Sequence, residues 1–253
     1  MERAHMRPTK RIIPKILVQW NERKRACIAV TTVGYSSVRT VGSAVNQARI
    51  FESNGCDELA VILISPEAPD DAFLQVVGEI ADSVYTPIAV GGNLHSVSAC
   101  LHLVESGADK LILGTAATLD GLSTEASALL GEQALIGSLD YFESTGLLRN
   151  GQPLREALAQ LPKLGIGELL LNSIERDGTR EGYDLKGIEL AASLVELPII
   201  AGTGCGSGND AAAAFASGAD AAAMGTLLAF SDQNPMQIRA HVANEGHHVR
   251  MNR

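Results

Sequence analysis

One segment of this 253-residue chain occurs twice, and that repetition limits the folds open to it. PIAVGGNLHSVSACLHLVESGADKLILGT begins at Pro87, and PIIAGTGCGSGNDAAAAFASGADAAAMGT begins at Pro198. Gly91 returns as Gly202, Gly107 as Gly218, and Gly114-Thr115 as Gly225-Thr226, always 111 residues further on and without a gap. A second echo links GCDELAVILIS from Gly55 with GIGELLLNSIE from Gly165, 110 residues on. Two echoes at nearly one separation point to two homologous halves that bury a shared core.

Short apolar runs fill both halves: 12–18, 59–64, 87–90, 111–113, 134–139, 169–171, 198–201 and 221–224. Helix-length amphipathic stretches lie between most of them, as at 45–53, 70–81, 97–105, 154–161 and 210–216. Continuous apolar strands alternating with helices indicate a parallel sheet covered by helices. Eight such units in a chain of this length fit an α/β (β/α)8 barrel built from two half-barrels. No linker composition divides residues 1–253, so one domain is expected. Two stretches exceed ordinary connections. Residues 20–40 contain an alternating piece, 26–33, that could form a hairpin; residues 141–152 carry the turn signal Asn150-Gly151. In a barrel both belong to the face built from the loops after the strands, where barrel active sites lie.

Composition narrows the function. A net charge of −9 argues against a general nucleic-acid binder, and 4% aromatic residues leave little for a base-stacking platform. No run approaches the eighteen apolar residues of a membrane helix, and the N-terminal apolar run is too short for a signal peptide. Cys27, Cys56, Cys100 and Cys205 are widely spaced and no His pair lies nearby. A reduced cytoplasmic protein with buried thiols is expected, without a metal or other cofactor.

The repeat duplicates a candidate phosphate cradle. In each half one strand ends in a Gly-rich turn, Gly91-Gly92-Asn93 or Gly202-Thr203-Gly204, and the next ends in Gly-Thr. Glycines allow a backbone to approach an anion, and free N–H groups at a helix start favour negative charge. The competing explanation is that these glycines only make tight turns. Arg11, Glu58, Lys110 and Glu168 form a second constellation, each at the start of an apolar strand and hence at the opposite, lower mouth. They could be solvated strand ends, or they could close into a ring of ion pairs that acts as a plug or gate. Exposed, such a ring would stabilise little.

With the repeat, KRII at Lys10, DEL at Asp57, VGGN at Val90, GADK at Gly107, SLD at Ser138 and SIERDGTREGYDL at Ser173 make the chain resemble the HisF family over nearly its whole length. HisF is the cyclase subunit of imidazole glycerol phosphate synthase, a lyase of histidine biosynthesis. The resemblance implies a barrel that receives ammonia from a separate class I glutaminase, the HisH type, docked at the lower mouth, and delivers it to a bisphosphorylated substrate. It implies that Arg11, Glu58, Lys110 and Glu168 are the ammonia gate and that Asp109 contacts the glutaminase. Asp140 then corresponds to a catalytic aspartate. Asp177, Gly178, Gly204, Gly225 and Thr226 correspond to substrate and phosphate positions, as do Gly92, Asn93, Gly114 and Thr115 in the other half.

The departures lie on the cyclase side. Leu17 stands where the family carries its other catalytic aspartate, and Leu63 replaces a further barrel acid. One positioned acid or base is typically worth about 10²–10⁴ in rate. The combination RIIPKIL with GYDL resembles a divergent HisF-like branch that supplies ammonia for acetamidino sugars in surface-polysaccharide biosynthesis. Three readings follow: an ammonia-channelling subunit with altered cyclase chemistry, a genuine histidine-pathway cyclase, or a non-catalytic barrel that binds a phosphorylated metabolite.

Overall fold

A computed structural model describes residues 9–250. Eight parallel strands close into a barrel: β1 (Arg11–Asn21), β4 (Leu59–Leu63), β5 (Ile88–Gly91), β6 (Lys110–Leu113), β7 (Leu135–Phe142), β9 (Glu168–Ser173), β10 (Ile199–Ala201) and β11 (Ala221–Met224). Closure comes from β11 pairing with β1, which sets Arg11 beside Ala221 and Ile13 beside Ala223. All eight apolar runs of the sequence are barrel strands.

Alternation along each strand separates two cores. On β1, Ile12, Ile16 and Val18 belong to the layer under the helices, whereas Ile13 joins the barrel interior. Ala60, Ala89, Ile112, Ile136, Leu170, Ile200, Ala221 and Ala223 complete that interior layer. It is apolar and rich in alanine.

The helices start where local chemistry satisfies their free N–H groups. Ser43 caps α1 (Ala44–Ser53), and Ser96 and Ser207 cap α3 (Val97–Glu105) and α8 (Gly208–Ala216). Asn234 and Gln237 form a capping box on α10 (Pro235–Asn244).

The half-barrel repeat is also structural. Elements β5, α3 and β6 recur as β10, α8 and β11 at the repeat separation. Gly107 and Gly218 have φ of +105° and +110°, and a Cβ on either would strike the Cβ of Ala81 or Ala192. Asp109 accepts the Ile88 N–H at 2.8 Å, as Asp220 accepts that of Ile199 at 3.1 Å.

The first long stretch forms a hairpin, β2 (Ala26–Val33) and β3 (Ser37–Gly42), which continues antiparallel from β1. In the second, β8 (Leu147–Leu148) pairs with the end of β7. No helix among the described residues is long and apolar enough to cross a membrane. All four cysteines are buried and free.

Candidate functional site

The lower mouth is closed by side chains. Arg11 donates to Glu58 at 2.6 Å and to Glu168 at 2.5 Å. Lys110 spans the same two carboxylates, at 3.4 Å and 2.5 Å. Each cation therefore meets both anions, and the ring is complete. The two glutamates are half-barrel counterparts, on β4's approach and on β9. The counterpart of Lys110 is Ala221, whose small side chain lies beside Arg11 in the register. Side-chain exposure runs only from 10% to 23%, so these are not the solvated ion pairs considered from sequence. Burial opposes charge on Arg11, yet its pairing with Glu168 and Glu58 holds it above the usual arginine range. Burial likewise opposes ionisation of Glu168, but Arg11 and Lys110 outweigh it and hold that carboxyl below its ordinary range. Outside the ring lies a shallow depression of about 580 Å³, lined by Arg11, Asp57, Glu58, Pro87 and His248. Asp109 is exposed, with one carboxylate oxygen bound to the Ile88 N–H.

Above the ring, the apolar layer encloses a cavity of about 10 Å³, bounded by Glu58 below and Lys15 above. That volume is near the lower limit for one water-sized molecule.

The upper mouth holds a cavity of about 890 Å³. Asp140 from β7 and Asp177 from the loop after β9 both line it, with Leu17 and Lys15 from β1. Asp140 Oδ1 accepts from Tyr35 Oη at 3.0 Å and from Asn172 Nδ2 at 2.9 Å. Burial and the two aspartates push the Tyr35 phenol far above its ordinary range, so it remains a donor. Asp177 is committed to the hairpin: its Oδ2 accepts from Thr32 Oγ1 at 2.6 Å and from the Tyr35 N–H at 3.1 Å. The Gly34 N–H also reaches the Asp177 carbonyl. The β2–β3 tip is thereby tied across the mouth, and Arg149 from the second long stretch stands 5.9 Å from the Tyr35 ring.

The glycines divide into two groups. Gly92, Gly178 and Gly204 have φ of +106°, +72° and +108°, and a Cβ would collide with Leu63, Thr32 and Gly182 backbone respectively. Their need for glycine is met within the fold. Gly114 is different: its φ is −63° and nothing lies within 4 Å of where a Cβ would point, although it lines the cavity. Gly225 is in ordinary negative-φ space, with only the Lys15 carbonyl nearby, at 3.1 Å. Gly225 and Thr226 share a recess with Lys15, Asp177, Gly178 and Gly204. The Thr115 hydroxyl accepts the Asp140 N–H at 3.0 Å, so in this half the threonine also fixes the upper part of β7. Asn93, at φ +54°, turns its amide towards the Ser65 and Pro66 carbonyls.

The long motif after β9 mainly builds its own loop. Arg176 grips Glu143 through two hydrogen bonds of 2.6 Å and 2.8 Å, and Tyr183 caps the Ala223 carbonyl at 2.9 Å. Only Asp177, Gly178 and Arg180 of that motif face the recess.

Sequence reasoning did not single out Lys15, Tyr35, Asn172 or Arg149. For Lys15 a signal existed: a charged residue inside an apolar run, in phase with Arg11, Ile13 and Leu17 at period two.

The family described as "Histidine biosynthesis protein" matches residues 11–234. The chain belongs to that family. A Prochlorococcus marinus protein bearing the name imidazole glycerol phosphate synthase subunit hisF2 is 33% identical, over 96% of this chain and 98% of its own length. The HisF subunits of Thermococcus onnurineus and Streptomyces griseus are 31% and 33% identical, over 88% and 87% of this chain and 93% of each relative. The protein is therefore HisF-like across its barrel, as the sequence resemblance implies.

Proposed function

We propose that this HisF-like barrel receives ammonia from a class I glutaminase at its lower mouth and passes it to a phosphorylated acceptor in the upper cavity. The ring of Arg11, Glu58, Lys110 and Glu168 carries this reading. Mutual pairing leaves the ring little net charge, and the alanine-rich layer above it has space for a molecule the size of ammonia. A neutral, water-sized nucleophile suits an apolar route that would exclude an ion. Exposed Asp109 and the depression around Arg11 offer the glutaminase a polar rim.

At the other end, Asp140 serves as acid or base, positioned by Tyr35 and Asn172. Gly114-Thr115 and Gly225-Thr226 are the phosphate turns. Gly114 is the stronger member, because no neighbouring protein atom accounts for its missing side chain, whereas the Lys15 carbonyl stands 3.1 Å from where a Cβ on Gly225 would lie. Gly92, Asn93, Asp177, Gly178 and Gly204 shape the walls around them. Leu17 contributes no proton transfer, so the cyclase chemistry is altered, consistent with an acceptor in acetamidino-sugar synthesis. Residues 1–253 act as one domain, and the four buried thiols suit a reducing cytoplasm.

A histidine-pathway cyclase is the second reading, favoured by the retained Asp140 and Asp177 facing one cavity. The test is to mix the protein with the class I glutaminases of the same genome and measure association and glutamine hydrolysis. Stimulated hydrolysis that Lys110→Ala uncouples from ammonia use supports the proposal; absence of any association contradicts it.

A further inference from the structure

The inward face of β1 carries Arg11, Ile13, Lys15 and Leu17, so Lys15 brings an amine to the barrel axis. Its Nζ donates to the Gly202 carbonyl at 2.8 Å, across the strand that holds Ala223. Alanine at that position leaves room for the lysine stem. Lys15 borders three spaces at once: the small cavity above Glu58, the recess with Gly225 and Thr226, and the large cavity with Asp140 and Asp177. Among the described residues no ion pair neutralises it, in contrast to Arg11 and Lys110 below.

We propose that Lys15 is a nucleophile that forms an imine with the carbonyl of a phosphorylated ketone seated in the upper cavity. The inference rests on the phosphate-binding part of the function proposed above and is independent of the glutaminase. Two features support it besides position. Desolvation favours the neutral amine and lowers the Lys15 pKa from its ordinary value, although Asp177 and Asp140 oppose that shift. A desolvated lysine amine is the form that attacks carbonyl groups. The candidate phosphate turns, meanwhile, lie on the same cavity surfaces as the amine and can seat a phosphorylated substrate beside it.

The step balances without a redox partner. The Lys15 Nζ lone pair forms a bond to the carbonyl carbon, and the carbonyl π pair moves to oxygen, which takes up a proton. The nitrogen loses a proton to give a neutral carbinolamine. A second proton on the hydroxyl lets it leave as water while the nitrogen lone pair completes the C=N bond. Asp140, held by Tyr35 and Asn172 on the same cavity, is positioned to carry these protons.

The test treats the whole protein with sodium cyanoborohydride and either dihydroxyacetone phosphate or ribulose 1,5-bisphosphate. The bisphosphate has a phosphate at each end and a carbonyl that ring closure does not mask. Hydride from the reagent converts an imine to a stable secondary amine, and peptide mass spectrometry locates it. The expected result is an adduct at Lys15 that surface residues such as Lys24 and Lys163 do not match. It should be absent with unphosphorylated dihydroxyacetone at the same concentration, and lost in Lys15→Met. Mapping on the unmodified sequence decides the matter even if that variant folds poorly. No Lys15 adduct with either phosphorylated ketone, labelling no greater than at surface lysines, or equal labelling without phosphate would each overturn the proposal. A glutaminase that fails to bind would leave this result unaffected.

Discussion

The two mouths of the barrel treat charge in opposite ways. At the lower mouth, two cations and two anions satisfy one another in a closed ring. At the upper mouth, Asp140 and Asp177 share a cavity with Lys15, yet neither carboxylate pairs with it; their partners are hydroxyl, amide and backbone groups. A self-satisfied ring can persist whatever chemistry takes place above it. Leu17 and Leu63 both line the upper cavity, at the positions where the HisF resemblance implies acids. Leu63 also packs in the layer between barrel and helices, whereas Leu17 lies on the inward face of β1, so Leu17 is the position to test first.

Leu17 offers the largest way to break this contrast. With free ammonium salts and the HisF substrate, cyclase turnover should fall at least about 10²-fold below that of an ordinary HisF, because one acid of the pair is missing. Leu17→Asp should recover part of it, and Asp140→Asn should remove the gain. Wild-type turnover at ordinary HisF levels would erase the distinction between the mouths.

The ring comes next. Lys110→Ala leaves Glu58 and Glu168 with Arg11 alone in a largely buried setting. The expected loss in a denaturant titration is about 1–3 kcal/mol, between the values for exposed and fully buried pairs. A loss within error would mean the ring is solvated after all. Tyr35→Phe removes one hydrogen bond to Asp140 at the upper mouth, for an expected cost of about 1 kcal/mol. Proteolysis within 33–37 should accelerate in that variant while the barrel melts nearly as before.

The smallest expected effect is a pH slope. Glu168 ionises more readily folded than unfolded, so its stabilisation is fully present above the ordinary glutamate pKa of about 4.3. It is lost as pH falls through the lower folded value. Glu168→Gln should flatten that part of the stability profile below pH 5, and an unchanged slope would remove the ring from the account.

Much of this architecture can be read from the chain. Eight apolar runs and a gapless repeat suffice for the barrel, because strands buried on both faces need continuous hydrophobicity. The ring residues are recognisable by charge at strand starts. The glycines are legible as turns, but their roles separate only in three dimensions, where Gly92 meets Leu63 and Gly114 meets open space. Tyr35 could not be foreseen, since its place depends on a hairpin docking against Asp177, 142 residues away in sequence. Lys15 was visible in RIIPKILV, yet a lysine in an apolar strand can also turn its amine out to solvent. Only barrel closure decides which.

If the closed ring marks a glutaminase-facing mouth, docking shields the backbone around it. Hydrogen–deuterium exchange of this protein, alone and with each class I glutaminase of its genome, reads that shielding. Protection is expected at the lower-mouth backbone around Arg11, Asp57-Glu58, Asp109-Lys110 and Glu168, with the 33–37 hairpin tip unprotected. Protection confined to the hairpin tip and the loops of the upper mouth, or no protection with any of the glutaminases, would contradict docking at that mouth.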